Sequence, residues 1–183
     1  MGELKIPGYS SYLHPYDENH LIGIGMDTEV VNYGYGEQTI TKGMKMSLFD
    51  ITDMTNPKEL YSVNIKENQG ASSEVLYNHK ALLFSKEKDI IAFPVQIAIY
   101  NGGYYNGITQ MAVVYGISLK DGFKLRGEIV HPNVQTPYGY DYYTNQIQRI
   151  LYIGDTFFTV SQGLIKATDM NSMKELGSIK LDS

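Results

Sequence analysis

The chain has 183 residues, 43% of them hydrophobic, and a formal net charge of −5. That hydrophobic content argues for a real core and against global disorder. Lysine and arginine never cluster beyond a pair, so no basic face suits nucleic acid, and no apolar run approaches the ~18 residues of a membrane-crossing helix. With no cysteine, disulfides, thiolate zinc sites and a cysteine nucleophile are excluded.

There are 18 Gly and 16 Tyr but no Trp, which suits an all-β protein rich in turns. In chain order the strand-like segments are 9–16, 20–26, 44–51, 60–65, 81–85, 90–99, 110–119, 123–130, 149–153, 156–161, 164–168 and 175–181. They are short, rich in β-branched and aromatic residues, and bounded by Gly, Asn, Asp or Lys. No stretch carries an apolar stripe of three helical turns.

The segments repeat. "MSLFDITDMTNPKELYSVNI" (46–65), "AVVYGISLKDGFKLRGEIV" (112–130) and "GLIKATDMNSMKELGSIKL" (163–181) each run an apolar strand into a polar turn, then a Lys and a second apolar strand. "SSYLHPYDEN" (10–19) matches "HKALLFSKEK" (79–88) without a gap at an offset of 69, and "HLIGIGMD" matches "DIIAFPVQ" and "TFFTVSQG". Three units of four antiparallel strands result, over roughly 9–65, 71–130 and 146–181. Such tandem units predict a β-propeller within one domain, 1–183. Extra length in the first two units falls at 27–43 and 99–109, read as insertions between the second and third strands.

Propellers close with 4–8 blades, so three units predict part of a longer protein or two copies forming a six-bladed ring. No signal-peptide pattern opens the chain, and Met1-Gly2-Glu3-Leu4-Lys5 leads directly into Pro7-Gly8. This abrupt start favours the first expectation for the natural protein.

Asp50-Ile51-Thr52-Asp53-Met54-Thr55-Asn56-Pro57-Lys58-Glu59-Leu60 resembles the turn of LVIVD-type propeller repeats. Together with "GYSSYLHPYDENHLIGIG" and "SSEVLYNHKALLF", it is similar to bacterial and archaeal secreted proteins with a C-terminal β-propeller. The third unit departs, because Ala167-Thr168-Asp169-Met170-Asn171 lacks the Asn-Pro. The resemblance implies a propeller fold and an extracellular or cell-envelope location. It implies no catalytic activity, so it supplies no catalytic residue.

The densest chemical cluster is "LHPYDENHLIGIG" (13–25). Asp17-Glu18-Asn19 there reads as hairpin turn chemistry, and the aligned second unit replaces His14, Asp17 and His20 with Leu83, Lys86 and Asp89. His14 remains a candidate for lining a central channel. Ser10-Ser11 and Ser72-Ser73 precede innermost strands, where propellers often bind ligands; their hydroxyls could equally bond local backbone. Asp27-x-Glu29 and Asp50-x-x-Asp53 read as turn caps, and no metal or cofactor is expected.

Three Gly- and Asn-rich loops hold Tyr33 and Tyr35, then Tyr100, Tyr104 and Tyr105, then Tyr138, Tyr140, Tyr142 and Tyr143. Tyrosine gives contact area at low entropic cost, and Gly and Asn let loops adapt. The candidate ligand-binding set is these loops with His14, Ser10 and Ser72, and the expected ligand is a protein, peptide or glycan. The same loops could pack on neighbouring blades or shield strand edges. A propeller hydrolase or lyase, with His14, Ser72 and Glu74 in the channel, is the alternative.

Overall fold

A computed structural model of the chain describes residues 3–66, 70–132 and 144–181. The first sheet holds β1 (Tyr9–Asp17), β2 (His20–Asn32), β3 (Glu37–Asp50) and β4 (Lys58–Ile65). The second holds β5 (Leu83–Ser85), β6 (Ile90–Asn101), β7 (Tyr104–Ser118) and β8 (Gly122–Ile129). The third holds β9 (Arg149–Ile153), β10 (Thr156–Val160), β11 (Leu164–Asp169) and β12 (Glu175–Lys180). In each sheet the strands pair antiparallel with their chain neighbours, in the order of the sequence.

The core shows how the sheets stack. Side chains alternate between the two faces of a strand. On β6 and β7, Ile91, Phe93, Val95, Met111, Val113 and Tyr115 join Ile22, Ile24, Met44, Met46 and Leu48 of the first sheet in one buried cluster. The intervening Ile90, Ala92, Ala112 and Val114 join Ile150, Phe157 and Met170 of the third sheet in another. The middle sheet is therefore buried on both faces. This explains why "IIAFPV" is a continuous apolar run and not an alternating one.

Hydrogen bonds at the hairpin turns correct the register between units. The amide of Ile51 donates to Asn19, Ile117 to Asp89, and Met170 to Asp155, each at 2.8–3.0 Å. Asn19, Asp89 and Asp155 are thus equivalent, and the second strands of the first two units match at an offset of 70 (89 minus 19), while the first strands keep 69, since His14 lies opposite Ile22 as Leu83 lies opposite Ala92. The cause is turn length: His20 pairs with Asp17 across Glu18-Asn19, whereas Ile90 pairs with Ser85 across a longer turn, 86–89. A one-residue slip moves every side chain to the other face. With the correct register, Ile22, Ala92 and Phe158 occupy equivalent places, as do Leu21, Ile91 and Phe157. Each sheet then turns one kind of face, here called leading, to the sheet before it, and the other, trailing, to the sheet after it.

The insertions expected at 27–43 and 99–109 are strand, not loop. β2 and β3 stay paired from His20–Asp50 out to Asn32–Glu37, and β6 and β7 out to Asn101–Tyr104. Both hairpins therefore run on as two-stranded ribbons. The second unit differs at its first strand, where β5 is only three residues long. Pro94 has no N–H to offer that strand, and its carbonyl accepts from the Ser73 hydroxyl instead. Residues 73–82 leave the sheet as two 3-10 turns, Glu74–Leu76 and His79–Ala81, capped by Ser73 and Asn78.

At the outer strands, Tyr61 of the first sheet reaches the second and donates to the carbonyls of Leu119 and Lys120. Gly122 lies beneath that ring with φ +68°, and a Cβ there would come within 2.7 Å of Tyr61. Gly122→Ala combines a left-handed backbone with a clash, so it should cost about 2 kcal/mol or more. Urea unfolding of this variant beside Gly177→Ala, where a Cβ meets nothing within 4 Å, checks that expectation.

Candidate functional site

Antiparallel order places the tips of the two ribbons at the same end of the sheets as the start of each first strand. At the first tip, Asn32 accepts from the Gly34 amide at 2.8 Å, and Tyr33 N–H donates to Gly36. This tight turn stacks Tyr33 on Tyr35, ring centroids 6.2 Å apart and nearly parallel. At the second tip, Gly102 and Gly103 both adopt positive φ, the requirement of a two-residue hairpin turn. Tyr100 and Tyr105 meet edge to face at 6.0 Å, and Tyr104 beside them is 82% exposed. Tyr138, Tyr140, Tyr142 and Tyr143 lie outside the described residues.

Below the second ribbon is a polar cleft of about 310 Å³, lined by Glu74, Tyr77, Gln96, Gln110, Gln148 and Arg149 among others. It lies where the second and third sheets meet. Buried Gln110 binds both backbone polar groups of one residue: Oε1 accepts from Ile147 N–H at 2.6 Å, and Nε2 donates to the Ile147 carbonyl at 3.3 Å. That pins the strand entering β9. Glu74 accepts from the Asn78 amide and faces Arg149 at 3.6 Å. Ser72 borders this region through its main chain, which exchanges two hydrogen bonds with Gln96.

Ser10 and His14 sit apart from this cleft and from each other. Ser10, opposite Gly25, lines a cavity of about 330 Å³ on the leading face of the first sheet with Leu13, Leu21 and Phe49. His14, opposite Ile22, points to the trailing face. There its Nδ1 lies 3.0 Å from the Tyr12 hydroxyl, and its ring meets Phe84 of the second sheet edge-on at 4.9 Å. Burial lowers its pKa and favours a neutral, packed imidazole. The sheet itself separates the two side chains, so no hydroxyl–imidazole pair forms between them.

The first turn is an electrostatic clamp. Partial burial opposes ionisation of Asp17, but hydrogen bonds from His20 (2.7 Å) and Lys86 (3.0 Å) outweigh it and hold its pKa at about 2. Asp50 and Asp53 cap turns, accepting from Thr52 and Thr55 amides. Among the described residues no three His, Asp or Glu side chains gather as metal ligands would.

The sequence pattern passed over two features. Gln96, Gln110 and Gln148 belong to no motif and come together only through the fold. His131 likewise belongs to no motif in the sequence. It is buried between the second and third sheets, with Nε2 2.8 Å from Thr159 Oγ1 and Nδ1 3.3 Å from Ser161 Oγ. Burial and the nearby Lys166 cation push its pKa down to about 4.

Sheets of four antiparallel strands, stacked face on face in chain order, define an open arc of propeller blades. The chain belongs to the β-propeller domain family, whose model matches residues 1–173. It is 34% identical over 181 residues to an uncharacterised protein of Archaeoglobus fulgidus, covering 99% of this chain and 22% of that protein. It is 38% identical over 106 residues to an uncharacterised protein of Methanocaldococcus jannaschii, covering 57% of this chain and 14% of the relative. The chain thus spans about a fifth or less of the length of these relatives.

Proposed function

We propose that this chain is a non-catalytic binding module that holds a protein, peptide or glycan at the ribbon end of its blades. The observation that carries this reading is the pair of tyrosine tips, each aromatic and solvent-exposed, at the same end as the polar cleft. Rings on two-stranded ribbons are held in place at little entropic cost. The glutamines, Glu74 and Arg149 offer donors and acceptors suited to amide or hydroxyl groups. The resemblance to secreted propeller proteins supports an extracellular or cell-envelope setting. A hydrolase is the weaker alternative. Glycosidic chemistry commonly uses two carboxylates, and Glu74 is the one carboxylate among the cleft's described lining. Ser10 and His14 lie on opposite faces of a sheet.

Glycan and peptide arrays probed with the chain should each answer directly. Binding to members of one array is expected, weakened about tenfold, or on the order of 1.4 kcal/mol, by Tyr35→Ala with Tyr104→Ala. Both side chains are more than 80% exposed, so unfolding free energy should stay within about 0.5 kcal/mol. Wild-type chain that binds neither array removes the reading.

A further inference from the structure

We propose that Asn101 is a self-modification site, where the main-chain nitrogen of Gly102 attacks the side-chain amide and converts it to a carboxylate. The reagents are the chain itself and water. The product places a negative charge at the tip of the second ribbon.

The reaction asks three things of an asparagine. The next residue must leave its nitrogen unshielded, which glycine does best because it has no Cβ. That nitrogen must be free of other bonds. The main chain must also rotate until the nitrogen meets Cγ. Asparagine is followed by glycine at two places in the sequence, Asn101-Gly102 and Asn106-Gly107. The dipeptides are identical, and the ribbon sets them apart.

Asn101 pairs with Tyr104, so Gly102 and Gly103 form the turn itself. The middle of a two-residue turn lies outside the ladder. Among the described residues, no group accepts from the Gly102 amide and none bonds the Asn101 side chain. Both residues are exposed. A Cβ at Gly102 would meet nothing within 4 Å, so no neighbour crowds the turn there. The Asn101–Tyr104 pair is the last rung of the ribbon, and such ends open locally at a small free-energy cost.

Asn106 occupies a different backbone setting. It is the extra residue of a bulge, because Ile99 pairs with Gly107 and Tyr100 with Tyr105. Gly107 is buried and has ladder pairs on both sides of it, Tyr100–Tyr105 and Ala98–Ile108. Moving its nitrogen therefore disturbs several rungs together. The first ribbon lacks the chemistry altogether. Asn32 precedes Tyr33, and its side chain is already engaged by the Gly34 amide.

The steps balance. Solvent base takes the Gly102 amide proton, the nitrogen bonds to Asn101 Cγ, and the Cγ–Nδ2 bond breaks. Ammonia leaves and carries away that proton. Water then opens the five-membered imide at one of its two carbonyls. Opening at Cγ gives aspartate, and opening at the main-chain carbonyl gives isoaspartate. One water is consumed and one ammonia released, with no oxidation or reduction. Residues 90–119 hold no charged side chain, so the new carboxylate is the first charge on this ribbon, next in sequence to Tyr100. That tip belongs to the tyrosine end read above as binding a ligand, but the modification does not rest on that reading.

Mass spectrometry of the folded chain, held in mildly alkaline buffer and sampled over time, tests this. Chymotryptic cleavage after Tyr100, Tyr104 and Tyr105 puts Asn101 and Asn106 on separate peptides. The Asn101 peptide should gain the mass of water less that of ammonia. The Asn106 peptide should lag at least about tenfold behind, as expected for an opening about 1.4 kcal/mol more costly. In urea, with the ribbon gone, the two should convert at similar rates. Asn101→Gln, an exposed change, should keep its mass over the same period. Three results overturn the proposal: folded Asn101 unchanged while the urea-unfolded chain converts, folded Asn106 keeping pace with Asn101, or an equal mass gain in Asn101→Gln, which would mean hydrolysis without the Gly102 nitrogen.

Discussion

Phe93→Ala and Phe157→Ala should each lower the unfolding free energy by about 3–5 kcal/mol, the range for emptying a buried phenylalanine site. Both rings are fully buried, but in different seams. Phe93 stands on the leading face of the middle blade and packs on the first. Phe157 stands on the leading face of the third and packs on the middle. Against a typical total of about 5–15 kcal/mol, either loss is large. Urea unfolding should show one transition for each variant, its midpoint lowered and its slope kept. A loss below about 1 kcal/mol at either site would mean that its seam is not formed.

Acidification should weaken the fold in a defined window through His131. Above pH 6.5 the imidazole is neutral in both the folded and unfolded chain, so its burial costs nothing extra. Below 6.5 the unfolded chain takes up a proton, while the buried ring, flanked by the Lys166 cation, resists until about pH 4. Stability is therefore lost as pH falls from 6.5 to 4, by about 3 kcal/mol in all. Asp17 acts in the same direction but lower. Its pKa of about 2 gives stability present above the ordinary aspartate value of 3.8 and lost between there and pH 2. The two windows separate. Unfolding free energies measured from pH 7 to 4 should slope for the wild type and slope clearly less for His131→Gln, the remaining slope coming from His14, whose pKa burial also lowers.

Much of this fold was legible because each blade repeats its chemistry. Lys58-Glu59-Leu60 and Lys174-Glu175-Leu176 mark the same outer strand, and the two glutamates do fall at equivalent places. The register was less legible. A gapless match hides a difference in turn length, and the turn at 86–89 shifted the faces by one residue. The ribbons were hidden for a different reason. Residues 27–43 make few core contacts, so selection for an apolar alternation is weak there. The tyrosine tips could be found because Gly and Asn flank them. The glutamine cleft could not, since an amide side chain carries no motif and Gln148 comes to the cleft beside Ile147, which Gln110 holds. His14, singled out for its neighbours in sequence, is held by Tyr12 and Phe84 in a seam that only the three-dimensional register reveals.

The central claim is a middle blade covered on both faces. Single-cysteine variants at Ile90, Ile91, Ala92 and Phe93, labelled with a thiol reagent in the folded state, test it most directly. All four residues are fully buried, and no other thiol competes. The expected result is uniform protection along β6, lost only on unfolding. Alternating reactivity, with every second position labelled at once, would describe a sheet with one solvent face and contradict the stacked-blade architecture.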